Sequence, residues 1–171
     1  SNRKLPRTAG HKQGITTAKM IIREAIALGI PWLTLYVFST ENWKRTEKEV
    51  GFLMKLLINH MRNEASFYHT NRIRVKHTGD LEGLPLDVQK EIINSISETE
   101  EYDAITVNLA INYGGRNEII RAINKWVEDK NQSPGILDEN IFKTYLDNPD
   151  IPDPDLIIRS AGDQRSSNFL L

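Results

Sequence analysis

Two short runs of β-forming residues constrain this chain most. Ala104 to Ile111 reads AITVNLAI and predicts a strand, and Trp32 to Phe38 reads WLTLYVF, a run nearly unbroken in apolar character. That is how a strand covered on both faces reads, and such strands belong to mostly parallel sheets. The segments between them carry a different period. From Gln13 to Leu28, Ile15, Ala18, Ile22, Ala25 and Ile26 recur at helical spacing, and Gly29 stands where a helix C-cap belongs. Thr46 and Glu49 form a capping-box pattern that opens a long helix to about Phe67, with Val50, Leu53, Met54, Leu57, Ile58 and Met61 on one side.

The alternation continues. Arg72 to Lys76 predicts a strand with a basic outer face, and Pro85 opens a helix to about Ser97. Gly115 to Val127 predicts another helix and Asp138 to Leu146 a shorter one. After Pro152 and Pro154, Asp155 to Ile158 predicts a last strand. The expected class is therefore α/β, a central mostly parallel sheet flanked by helices. The 171 residues show no internal repeat or linker-like tract, so a single domain over 1–171 is expected.

Composition narrows the function classes. Apolar residues make up 39% and charged residues 26%, which is ordinary for a globular domain. There is no cysteine, which excludes disulfides, thiolate metal sites and a cysteine nucleophile. No apolar run approaches the ~18 residues that span a bilayer, and no signal-peptide pattern opens the chain; a cytoplasmic location is expected. With a net charge of −1 no global field draws in nucleic acid or an anionic membrane. An anionic ligand must be held by a local cluster of basic groups.

In an open parallel sheet, ligands collect beyond the carboxyl ends of the strands. Strand 32–38 is followed by Ser39, Thr40, Glu41, Asn42, Trp43, Lys44 and Arg45. These residues serve equally as a helix-opening loop with a half-buried tryptophan or as a substrate loop in which Arg45 clamps a phosphate. Strand 104–111 leads into Asn112-Tyr113-Gly114-Gly115-Arg116, where the glycine pair makes either a plain tight turn or an anion site at a helix N-terminus. Arg159, Arg165, Ser166 and Ser167 flank Gly162; two guanidinium forks with hydroxyl donors suit a diphosphate, although such polar runs usually end as solvated surface. Arg7 and His11, before the first helix, could make a second anion site, or His11 could be structural.

Four stretches in order resemble the cis-prenyltransferases of the undecaprenyl diphosphate synthase family. They are Arg7-x-x-Gly-His11, the run from Leu33 through Phe38-Ser-Thr-Glu-Asn-Trp43 to Arg45, Ile111-Asn-Tyr-Gly-Gly-Arg116, and Pro152 to Leu170 with its Arg159, Gly162, Arg165 and Ser167. The resemblance implies that Arg7 and His11 help hold the diphosphate of an allylic primer, farnesyl diphosphate in the bacterial case. It places Phe38 against the prenyl chain, Ser39, Thr40 and Glu41 along the substrate loop, and Trp43 and Arg45 on substrate. Asn42 would act near the proton lost from isopentenyl diphosphate, and Arg159, Arg165, Ser166 and Ser167 would bind that substrate's diphosphate.

The resemblance further implies Mg²⁺ as cofactor, a homodimer, a cis-polyprenyl product such as undecaprenyl diphosphate for cell-wall synthesis, and loose membrane contact through that lipid. Family members normally begin with Asp-Gly-Asn-Gly-Arg-Trp-Ala and continue past the Asn168-Phe169-Leu170-Leu171 position with a metal-linked Glu and dimer helices. The present residues lie between those two regions, so the Mg²⁺ ligands are expected in them and the fold is expected to be partial at both ends. A non-catalytic partner subunit of a heteromeric prenyltransferase is the alternative, against which the retained 38–45 and 112–116 segments speak. An unrelated phosphate-binding α/β module is a third reading.

Overall fold

A computed structural model describes residues 7–129, 135–159 and 165–170, and side chains from Gln13 onward. Its elements run α1 (Arg7–Ala27), β1 (Trp32–Ser39), a 3-10 turn (Thr40–Lys44), α2 (Glu47–Thr70), β2 (Ile73–Thr78), α3 (Leu86–Glu98), β3 (Ile105–Tyr113), α4 (Gly115–Glu128) and α5 (Glu139–Thr144). The three strands form one parallel sheet in the order β1-β3-β2. Their carboxyl ends, Ser39, Thr78 and Tyr113, therefore share one edge.

Local chemistry explains the helix ends. Gly29 adopts φ +69, and Ile30 N–H bonds Ala25 O at 2.9 Å while Gly29 N–H bonds Ile26 O at 3.0 Å. That is a Schellman-type stop, which a residue without a Cβ reaches at little cost. Thr46 caps α2: its hydroxyl oxygen accepts the Glu49 N–H at 3.3 Å and its hydroxyl faces the Glu49 carboxylate at 3.3 Å. Asp138 caps α5 in the same way, accepting the Ile141 N–H at 2.8 Å.

The central strand β3 is buried along its whole length. Its residues Ile105, Val107, Leu109 and Ile111 join Ile73 and Val75 of β2, Ile22 and Ala25 of α1, Met54, Leu57, Ile58 and Met61 of α2, and Val88 and Ile92 of α3 in one core. Each fully buried aliphatic side chain here stabilises the fold by about 1.5–3 kcal/mol. The alternate β3 positions are polar or small, and they are buried too. Thr78 Oγ1 donates to Asn108 Oδ1 at 2.9 Å, and Asn108 Nδ2 reaches Thr34 Oγ1 at 3.4 Å, a polar rung across all three strands. Asn148 Nδ2 extends it by donating to Thr78 Oγ1 and to His77 O.

Several expectations need correction. The first helix starts at Arg7, so Arg7 and His11 lie within α1 and not before it. Residues 155–158 form no strand: they lack a backbone ladder, and Leu156 and Ile158 are 74% and 85% exposed. An extended segment gains stability only from a neighbour that takes its N–H groups, and none of the described strands lies beside it. β2 runs on to Thr78, past the Lys76 boundary suggested by its alternation, because His77 and Thr78 pair with Leu109 and Ala110. The basic side chains of β2 are also less free than expected, since Lys76 is ion-paired with Asp150.

Candidate functional site

The sheet edge gathers three segments far apart in sequence: the turn after β1, the Asn112–Arg116 turn after β3, and residues 165–170. In the first, Asn42 Oδ1 accepts the Ser39 N–H at 3.1 Å, so this amide closes the 3-10 turn. Arg45 ends the turn, its N–H donating to Asn42 O at 3.1 Å, and its side chain is exposed. Phe38 is buried, and its ring meets that of Trp43 edge to face at 5.3 Å. Trp43 lies on the surface side of that contact, 38% exposed.

Trp43 is also held from the other side. Its Nε1–H donates to Asn112 Oδ1 at 2.7 Å. Asn112 is 4% exposed and adopts φ +53, the left-handed region that asparagine tolerates better than most residues. Its Nδ2 donates to Asp80 O at 2.8 Å, and its own carbonyl accepts the Asp80 N–H at 3.1 Å. One buried amide thereby joins the end of β3 to the loops that follow β1 and β2.

A second joint lies alongside. Asn168 O accepts the Gly115 N–H at 2.7 Å, Asn168 Oδ1 accepts the Arg116 N–H at 2.9 Å, and Asn168 Nδ2 donates to Glu41 Oε1 at 2.8 Å. Phe169 stacks on Tyr36 with ring centroids 4.5 Å apart. Tyr36 in turn donates from its hydroxyl to Tyr113 O at 3.1 Å, and burial followed by the Glu41 charge raises its pKa. The glycine pair thus opens α4 with two N–H groups already taken by the protein. It is a packed turn rather than a vacant anion cradle.

The Arg159 side chain reaches the main chain of Arg165 and the hydroxyl of Ser167, its Nη1 donating to Arg165 O at 2.7 Å and to Ser167 Oγ at 2.6 Å. Arg159, Arg165, Ser166 and Ser167 are all exposed. Ser39 and Thr40 sit half-buried at the β1 end, next to the exposed Glu41. The side chains of Arg7 and His11 lie outside the described ones. Among the described residues no group of three or more His, Asp or Glu side chains is placed to hold a metal ion, so these residues do not fit the implied Mg²⁺ and no step is routed through it.

Three residues important to this edge carry no chemistry of their own in the sequence. Asn112 and Asn168 stand inside the recognised motifs, yet neither motif says that their side chains bind other segments. Asp80 contributes only its main chain to the Asn112 joint and leaves no side-chain signal for it. A nearby polar cluster was equally hidden: Asp147 makes a two-pronged pair with Arg121 at 2.5 and 2.7 Å and accepts the Gly79 N–H at 2.9 Å. Burial pushes the Asp147 carboxyl up, but the Arg121 and Lys125 charges and the Gly79 N–H outweigh it and hold the group below its ordinary value.

A parallel three-strand sheet flanked by helices, with hydroxyls, amides and guanidinium groups along its carboxyl edge, defines an open α/β domain. Comparison with known proteins sharpens this. The family model of undecaprenyl diphosphate synthases matches residues 1–171. An isoprenyl transferase of Treponema denticola is 50% identical over 169 residues, which cover 99% of this chain and 73% of the relative. One of Clostridium perfringens is 47% identical over 172 residues, covering 99% and 68%. The crystal structure of a probable undecaprenyl diphosphate synthase from Campylobacter jejuni superposes with a TM-score of 0.82 at 36% identity, over 93% of this chain and 74% of that one. Lavandulyl diphosphate synthase from Lavandula x intermedia, crystallised with dimethylallyl diphosphate, superposes at 0.92 with 34% identity, over 99% and 75%.

The chain belongs to the undecaprenyl diphosphate synthase family, and its relatives are prenyltransferases. Among the described residues no helix is long and apolar enough to cross a membrane.

Proposed function

We propose that the protein condenses isopentenyl diphosphate with an allylic diphosphate, farnesyl diphosphate, and repeats the step to build a long cis-polyprenyl diphosphate. The product is undecaprenyl diphosphate, the lipid carrier for cell-wall synthesis. The observation that carries this reading is the tied sheet edge, where the Phe38–Arg45 turn, the Asn112–Arg116 turn and residues 165–170 meet through Trp43–Asn112 and Asn168–Glu41. The similarity to a synthase crystallised with dimethylallyl diphosphate adds support.

In the proposed step the allylic C–O bond breaks and its electron pair leaves with diphosphate. The π pair of isopentenyl diphosphate forms the new C–C bond, and loss of a proton restores a double bond in cis geometry. The protein's task is to stabilise a leaving anion, which calls for cations and fixed donors rather than a nucleophile. Arg7 and His11 serve the primer diphosphate, and Arg159, Arg165, Ser166 and Ser167 that of isopentenyl diphosphate. Ser39, Thr40, Glu41, Trp43 and Arg45 shape the loop between them, and Phe38 meets the prenyl chain. Asn42 is a weak base, so its role is to position the carbon that loses the proton, with released diphosphate as acceptor. A Mg²⁺ ion, if one is bound, would be held by residues outside the described set and would supply charge neutralisation to a diphosphate. A homodimer in the cytoplasm that touches the membrane through its lipid product completes the reading.

The test is steady-state kinetics of the full-length protein with Arg159→Ala and Arg165→Ala. The expected result is a KM for isopentenyl diphosphate raised about tenfold or more, each variant losing charge-assisted hydrogen bonds, with the KM for farnesyl diphosphate little changed. An equal rise in both would remove the assignment of this cluster to isopentenyl diphosphate.

A further inference from the structure

We propose that Asn168 is a positioning residue for prenyl transfer, acting through Glu41 as a donor–acceptor pair that holds the turn after β1 against the start of α4. The inference rests on the prenyltransferase reading above. A helix leaves its first N–H groups without partners, and in α4 two of them bond a residue 52 positions downstream of Arg116. Asn168 takes the Gly115 N–H with its main-chain carbonyl and the Arg116 N–H with Oδ1. That leaves Nδ2 free to donate, and it meets Glu41 Oε1 at 2.8 Å. Its φ of +64 lies in the left-handed region, where asparagine is among the tolerated residues.

Space confirms that the closure is tight. A Cβ on Gly114 would come within 2.6 Å of both Asn168 Nδ2 and Thr40 Oγ1. Glycine at this position lets the turn, the helix start and the 165–170 segment approach one another. The pairing also sets the charge state of Glu41, because hydrogen bonds donated to a carboxylate favour its ionised form. Burial pulls the Glu41 carboxyl up, and hydrogen bonds from Asn168, Ser39 and Thr40 outweigh it, so the group stays an ionised acceptor spent on the protein. Residues 166 and 167, assigned to isopentenyl diphosphate, are chain neighbours of Asn168. The same amide that fixes the turn therefore fixes their place relative to it.

The test uses Asn168→Asp, Glu41→Gln and the double variant in the full-length protein. Asn168→Asp keeps the acceptor for Arg116 N–H but sets a second carboxylate against Glu41. Its kcat/KM should fall about 10- to 100-fold, the scale of a misplaced reacting group. Adding Glu41→Gln restores a donor and an acceptor with their roles exchanged, and should recover at least about tenfold of that loss, together with part of the lost Tm. Asn168→Gly, which keeps the positive φ and removes both side-chain bonds, should lose activity without unfolding.

A double variant no better than Asn168→Asp overturns the proposal. So does a set of variants that lower Tm while kcat/KM of the folded protein stays at the wild-type level, which is what a purely structural contact would give. If the wild type itself makes no elongated product, the prenyltransferase reading fails, and the positioning role fails with it. Wild-type elongation with no rescue fails the pair alone.

Discussion

The indole N–H of Trp43 sits 2.7 Å from the side-chain carbonyl of Asn112, coupling the turn after β1 to the end of the central strand. Trp43→Phe keeps the ring packed on Phe38 and leaves a buried acceptor unmatched. The expected cost is about 1–2 kcal/mol of stability, read by urea unfolding. An unchanged unfolding midpoint would mean that water replaces the indole without penalty.

Asn112 itself separates backbone from side-chain effects. Both Asn112→Gly and Asn112→Ala lose the bonds to Trp43 and Asp80, but only glycine holds φ +53 without strain. The alanine variant should be the less stable by about 1 kcal/mol. Calorimetry that finds the two equal would argue that the turn relaxes to an ordinary φ.

Gly114→Ala tests the closure of the edge. The added methyl meets Asn168 and Thr40 at 2.6 Å, so one segment must give way, at about 1–3 kcal/mol. Asn168 ties the 165–170 segment to this turn, and faster proteolytic cleavage of that segment than in the wild type is expected. Cleavage moved instead to the α2 region would place the strain elsewhere.

Asp147 predicts the response to acid. Its folded-state pKa lies below the ordinary value of 3.8. Its contribution is therefore complete above the unfolded pKa and is lost as pH falls through the folded one. Wild type should lose Tm steeply below about pH 4, and Asp147→Asn should start lower, by about 2 kcal/mol at neutral pH, with a flatter acid limb. Parallel acid limbs in the two proteins would assign the acid sensitivity to other groups.

Much of the scaffold is legible in the chain because it rests on local rules. Gly29, Thr46 and Asp138 act at the helix ends through bonds to residues within five positions, and the runs 32–38 and 104–111 are both strands, although only 104–111 is covered on both faces while 32–38 is a half-buried edge strand. What is not legible depends on distant partners. His77 and Thr78 are polar, and only pairing with β3 makes them strand. Residues 155–158 look like a strand but have no described neighbour to complete one. The motif residues Phe38 to Arg45 mark the family, while the geometry that fixes them comes from Asn112 and Asn168, 69 and 127 residues away from their partners. No spacing rule links positions so far apart.

The most direct measurement is incorporation of radiolabelled isopentenyl diphosphate by the full-length protein given farnesyl diphosphate and Mg²⁺, with the extracted lipid sized by chromatography. The account predicts a primer-dependent, chelator-sensitive ladder ending near the C55 polyprenyl diphosphate. Binding of farnesyl diphosphate with no incorporation would contradict it and favour a subunit that has kept the fold without the chemistry.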